Sequence, residues 1–352
     1  MKIKSYQEAM SAVTKEGYAL KDVPLEFKTP ELCKIAVNQN GSVLEYVPDE
    51  FKTLELCTVA VTQNGRALWY VPRELKTSAL CTIAVTNAWY ALEDVPDELK
   101  TPELCAIAVT KEGYALKDVP DEFKTLELCT TAVTQEGLAM PDIKGSVLEY
   151  VPDEFKTAEF CKFAVTKEGY ALQYVPREFV NPDLCTIAVT QNGRALWYVP
   201  RELKTSKLCT IAVSQNGWVL QSVPREFINP DLCTIAVTQN GGALQYVPRE
   251  FKTPELCGFA VSRNWLALSS VPREFITLEL CKIAVNQNGY ALKYIPDELK
   301  TSELCKIAVK KNKHALEFVP NEFKHLFKNK VFKVFCWFLY ALVAIFVLKA
   351  CG

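Results

Sequence analysis

The chain has 352 residues, 23% of them charged and 49% hydrophobic, and its formal net charge is −1. That composition excludes a disordered chain and one buried in a membrane throughout. Residues 1–323 carry 35 basic against 41 acidic groups, a net of −6, so the basic stripe of a nucleic-acid-binding repeat array is excluded too.

Met1-Lys2-Ile3-Lys4-Ser5-Tyr6 opens the chain without an apolar signal core. From residue 6 to about 328, one 24-residue phrase recurs thirteen times. Cysteine marks the frame at 33, 57, 81, 105 and 129. After an eight-residue insertion near 138–145 it returns at 161, 185, 209, 233, 257, 281 and 305. A strict short period implies stacked modules, each too small to fold alone. The expected fold is therefore all-α: an α-solenoid of thirteen helical repeats over 1–328. A basic flank and a C-terminal transmembrane helix are expected over 329–352.

Residues 181–204 show what one repeat dictates. Asn181 suits a helix N-cap, Pro182 the first helical position and Asp183 the first turn. Asp183, Thr186 and Thr190 make a polar stripe. Leu184, Cys185, Ile187, Ala188 and Val189 fill the rest, so the helix is expected to be buried on most of its circumference. Asn192-Gly193 is a stop signal, read as glycine in the left-handed conformation beyond the last turn. Leu196, Val199 and Leu203 form a second, shorter apolar series. Pro200 cannot sit deep in a helix, so a one-turn helix should end near Val199 and a 3₁₀ turn should begin at Pro200. That proline recurs from Pro24 to Pro320, and the glutamate two residues on from Glu26 to Glu322. In the first turn of the new segment the glutamate is expected to act as a cap.

A leucine-rich repeat is the rival fold, since Leu184-x-x-Ile187-x-Val189-x-x-Asn192 resembles its strand phrase. Its asparagine position, however, holds Glu16, Ala88, Glu112, Glu136 and Glu168 in five repeats. Those residues cannot supply an asparagine ladder to buried backbone, so the helical reading is preferred. Ala-Val-x-Gln-Asn-Gly-Tyr-Ala-Leu-x-Tyr, present at 284–294, resembles the core of a bacterial repeat family, domain of unknown function 4116. The likeness runs over residues 6–328. It implies short helical repeats, and it implies no catalytic, cofactor or binding residue. The recurring proline and the rigid cysteine depart from the family pattern and bear on helix geometry.

The twelve framed cysteines invite a metal or redox reading. No Cys-x-x-Cys occurs, and His314 and His325 have no ligand partner at the right spacing. Equivalent helices lie about 8–10 Å apart, too far for a disulfide, which needs Cα atoms within about 7 Å. The cysteines are therefore expected to be free and buried, as in a reducing cytosol. Every plausible catalytic side chain recurs with the repeat, and no Gly-x-Ser-x-Gly or phosphate loop is present. Neither catalysis nor a metal or other cofactor is expected.

Binding is the open reading. One variable column holds Tyr90, Tyr114, Tyr170, Arg194, Trp218 and Tyr290, and three residues after it lies a second that includes Trp69 and Trp197. Tyr, Trp and Arg are the side chains that anchor protein interfaces, so these eight are the candidate partner-binding residues. Contacts to the next repeat are the alternative use of the same positions.

Residues 334–348 are fifteen apolar residues without a break, including Val334, Trp337, Leu339, Leu342, Ile345 and Leu348. Counted from Val331, eighteen residues as a helix span about 27 Å, close to a hydrocarbon core of about 30 Å. Lys324, Lys328, Lys330 and Lys333 precede the stretch and place that side in the cytosol. The expected function is a non-enzymatic, single-pass, tail-anchored scaffold that holds a protein partner, with no nucleic acid. The alternatives are a passive spacer or surface organiser, and an effector-type protein directed to a host membrane.

Overall fold

The computed structural model describes residues 3–135 and 146–327. The 138–145 insertion and the proposed anchor, with Val334, Trp337, Leu339, Leu342, Ile345 and Leu348, lie outside the described residues. Among the described residues there is no strand, and no helix is long and apolar enough to cross a membrane. The strand that a leucine-rich repeat requires is absent from them.

Each repeat starts with one ten-residue α-helix. These are α1 Tyr6–Lys15, α2 Pro30–Gln39, α3 Leu54–Gln63, α4 Ser78–Asn87, α5 Pro102–Lys111, α6 Leu126–Gln135 and α7 Ala158–Lys167. They continue as α8 Pro182–Gln191, α9 Ser206–Gln215, α10 Pro230–Gln239, α11 Pro254–Arg263, α12 Leu278–Gln287 and α13 Ser302–Lys311. A six-residue 3₁₀ helix follows most of them, as at Gly41–Tyr46, and a three-residue one comes next, as at Asp49–Phe51. Local chemistry explains the starts. Thr29 Oγ1 accepts from the Leu32 amide at 3.3 Å and Asn181 Oδ1 from the Leu184 amide at 2.9 Å. Pro30, Pro102, Pro230 and Pro254 take the first helical turn, where no amide is needed. Pro48 opens the short 3₁₀ turn at φ −56°, as the fixed proline ring allows.

The chain divides into two compact units, Met1–Gln191 and Asn192–Gly352. Within each, successive α-helices pack side by side, and each six-residue 3₁₀ helix before the last packs on its own α-helix and on that of the next repeat. The result is an α layer and a 3₁₀ layer with the core between them. Leu32, Cys33, Ala36 and Val37 of α2 and Val43 and Leu44 of the following 3₁₀ helix have no exposed surface. A buried leucine of this kind contributes about 2–5 kcal/mol by truncation to alanine. The twelve framed cysteines are free and buried in the same layer. Burial pushes the Cys33 and Cys185 thiols up to about 11, so they stay protonated and unreactive.

One expectation about the α-helices is corrected. Ile187 is half-exposed, as are Ile35, Val59, Ile83 and Ile107 at the same position. They point outward from the α layer, away from the 3₁₀ layer that buries Leu184 and Val189.

Candidate interaction face and the polar joints between repeats

The joint after each α-helix carries most of the polar chemistry. Asn40 ends α2 in an extended conformation at φ −152°, and none of Gly17, Gly41, Gly65, Gly193, Gly217, Gly241 and Gly289 has a positive φ. The left-handed stop expected from Asn-Gly is therefore wrong. Glycine is required by proximity: a Cβ on Gly17 would stand 2.7 Å from the Ala36 carbonyl oxygen, and one on Gly193 2.6 Å from that of Ala212. Both oxygens belong to the next repeat. The preceding asparagine caps the 3₁₀ helix, as where Asn64 Oδ1 accepts from the Arg66 amide at 3.1 Å. Glu168 does the same for Tyr170 at 3.2 Å, whereas Glu16 and Glu112 occupy the position without such a cap bond.

Where an α-helix ends in glutamine or asparagine, that last residue can reach back across this joint. Gln63 Nε2 donates to the Val37 and Asn38 carbonyls, each at 3.1 Å, while its Oε1 accepts from the Gly41 amide at 2.8 Å. Gln287 repeats this on Val261 and Ser262, at 2.6 and 3.0 Å, and accepts from Trp265 at 3.0 Å. Asn87 donates to Val61 and Thr62 at 3.2 and 3.0 Å. One side-chain amide thus satisfies helix C-terminal carbonyls that have no partner of their own. This clamp was missed in the sequence, although recurrence of Gln63, Gln191, Gln215 and Gln287 at one position was visible.

Two further ladders join repeats. Lys28, Lys52, Lys76 and Lys100 donate to the carbonyls of Tyr46, Tyr70, Asp94 and Asp118, at 2.7 to 2.9 Å. On the surface Arg201, Arg225, Arg249 and Arg273 pair with Glu226, Glu250, Glu274 and Glu298, at 3.5, 3.0, 2.9 and 2.7 Å. Arg73 meets Glu98 at 2.8 Å. The recurring glutamate therefore sits in the first turn of its short 3₁₀ helix and also pairs with the preceding repeat. The second role was not foreseen, though a separation of 25, one period plus one, was there to be read.

The eight candidate partner-binding residues ride on the 3₁₀ helices that follow the α-helices, six residues long except for Gly193–Trp197, and divide into two groups. Trp69 is 65% exposed, Trp197 42% and Tyr90 41%, while Tyr114 is 9% exposed. Arg194 is exposed, and Tyr170, Trp218 and Tyr290 are half-buried. Several members of the second group stack on the next repeat. Trp218 meets Tyr246 at 5.7 Å, Tyr290 meets Phe318 at 5.0 Å and Tyr114 meets Tyr150 at 6.4 Å, all edge to face. The structure does not bring the eight together as one exposed aromatic face. Within a single 3₁₀ turn it does place exposed Arg66 beside exposed Trp69, and Arg194 beside Trp197.

Near Tyr114 the carboxylates are unusual. Burial pushes Asp118 up to about 6, against Lys117 at 3.8 Å, and it raises Asp94 and Glu112 as well. Glu112 is 1% exposed, and backbone amides of Tyr114 and Gly113 favour its charged form. Among the described residues no group of three or more His, Cys, Asp or Glu could hold a metal ion.

These features define a class: an all-α repeat protein whose recurrent polar groups join one repeat to the next. Residues 9–52, 29–76, 158–204, 205–252 and 277–324 match the family described as a domain of unknown function, DUF4116. These spans cover more than half of the chain, and the protein belongs to that family. Most matched spans are about two repeats long. No curated protein matches the chain.

Proposed function

We propose that this chain is a non-enzymatic scaffold that holds a protein partner on the cytosolic side of a membrane. In this reading residues 331–348 form a single-pass C-terminal anchor and the repeats face the cytosol. The observation that carries it is Trp69, 65% exposed beside exposed Arg66, in a fold whose other recurrent chemistry is spent on joints. Arg194 and Trp197 repeat the pair. A large exposed indole next to a guanidinium is the combination that anchors protein interfaces. The unbroken apolar run after Lys333 supports the anchor.

The test uses the full chain and a Trp69→Ala, Trp197→Ala variant in proximity labelling and pull-down from membranes. Loss of a discrete set of partners from the variant is expected; identical partners would sink the reading. Alkaline carbonate extraction, compared with a chain ending at Lys328, tests the anchor separately. The stacking of Tyr114, Trp218 and Tyr290 on their neighbours favours a second reading, a passive spacer. In that case removal of whole repeats leaves function unchanged.

A further inference from the structure

The outward face of α11, α12 and α13 carries an apolar ladder with no described element over it. Phe259 is 39% exposed and Ile283 41%, and Ile307 is half-exposed at the same position. The equivalent Ile35, Ile83 and Ile107 are half-exposed, so the two most exposed rungs at this position, Phe259 and Ile283, are neighbours on α11 and α12. Beside Ile307 a 230 Å³ groove opens between α12 and α13, lined by Leu278, Lys282, Thr301, Ser302, Glu303, Leu304 and Ile307. One helical turn before each apolar rung stands a carboxylate: Glu255, Glu279 and Glu303, all exposed. Arg263 covers part of Phe259 at 5.4 Å, and Lys282 holds Glu279 at 3.0 Å. Glu255 and Glu303 make no ion pair with another described residue.

We propose that this face holds the chain's own apolar segment, residues 331–348, whenever that segment is not in a bilayer. The inference rests on the reading of 331–348 as a segment able to insert. Two features select this occupant. As a helix, eighteen residues are about 27 Å long, which matches three neighbouring α-helices at about 8–10 Å each. The segment begins at Val331, twenty residues after α13 ends at Lys311, so the chain itself tethers it beside this face, whereas the glutamates alternate with Lys282, Lys306 and Lys310 and charge does not select the occupant. Aromatic side chains of the segment, such as Trp337, have the size to fill the groove beside Ile307. The repeats would then shield the anchor between synthesis and insertion and release it to lipid.

The test places a photo-reactive benzoylphenylalanine at Ile283 in the full chain, in detergent-free buffer. Cross-linked peptides are mapped with and without phosphatidylcholine vesicles. The expected result is a cross-link within one molecule to a peptide from 331–348, lost once the vesicles are added. Cross-links between two copies, or none to that segment, would overturn the proposal. A second variant, Phe259→Glu with Ile283→Glu and the probe at Ile307, should lose the cross-link and enter vesicles faster. Unchanged cross-linking and insertion rate count against it. Carbonate-resistant binding of the unaltered chain reports on the anchor alone, so the two readings fail separately.

Discussion

Gly193 is buried because the next repeat's Ala212 carbonyl lies where its Cβ would be. Gly193→Ala should therefore cost about 1–3 kcal/mol by forcing backbone apart. Gly258 offers the opposite case: it lies within α11 and a Cβ there would meet nothing within 4 Å. Gly258→Ala should stabilise the protein by about 0.5–1 kcal/mol through helix propensity alone. Urea unfolding of the two variants checks both signs; a loss at Gly258 would contradict the open space around it. Asp118 makes a pH prediction at the same scale. Burial raises its carboxyl from 3.8 to about 6, so between those values the folded chain holds a proton that the unfolded chain releases. This group's favourable contribution is present at low pH and is lost as pH rises through about 6. Asp118→Asn should flatten the stability profile in that window and raise the melting temperature at pH 7. A variant as pH-sensitive as the parent there would refute the assignment.

At the scale of elements, an α-helix such as α2, α3 or α11 ends on groups supplied by its successor. Gln287→Ala should leave the Val261 and Ser262 carbonyls and the Trp265 amide without their partner, costing about 1–2 kcal/mol. Hydrogen exchange of the Trp265 amide should quicken, and exchange at the parental rate would show that the clamp is dispensable. Helix starts were legible in the sequence because their chemistry is local: Thr29 bonds three residues on, and Pro182 needs no partner. The clamp was not legible, because Gln63 and Gly41 are 22 residues apart and meet only once one repeat is laid on the next. The same holds for Ile187. Helical periodicity counted it with the core, but only the position of the 3₁₀ layer decides which side of α8 is covered. The candidate face was legible in part. Residue type picked out Trp69 and Trp218 alike, while exposure of the first and stacking of the second depend on what the neighbouring repeat presents, Tyr246 in the latter case.

For the whole molecule, the joints make the period itself the unit of stability. Removing residues 206–229, one full period within the second unit, places Arg201 at the usual separation from Glu250. The asparagine caps and backward clamps are also restored. That deletion should keep helical circular dichroism per residue and a single unfolding transition. Removing residues 206–217, half a period, should abolish cooperative unfolding because no joint can be remade across it. Similar behaviour of the two deletions would show that register between repeats is not what holds the array.

The backward reach of Gln63 and its counterparts has an evolutionary consequence. A gene built from such segments can exchange, lose or gain whole periods by unequal recombination, and any in-phase product inherits a complete set of donors and acceptors at the seam. The identity of residues 60–78 and 188–206 fits a gene copied in this way. Selection can then act on copy number while the protein remains foldable at every step.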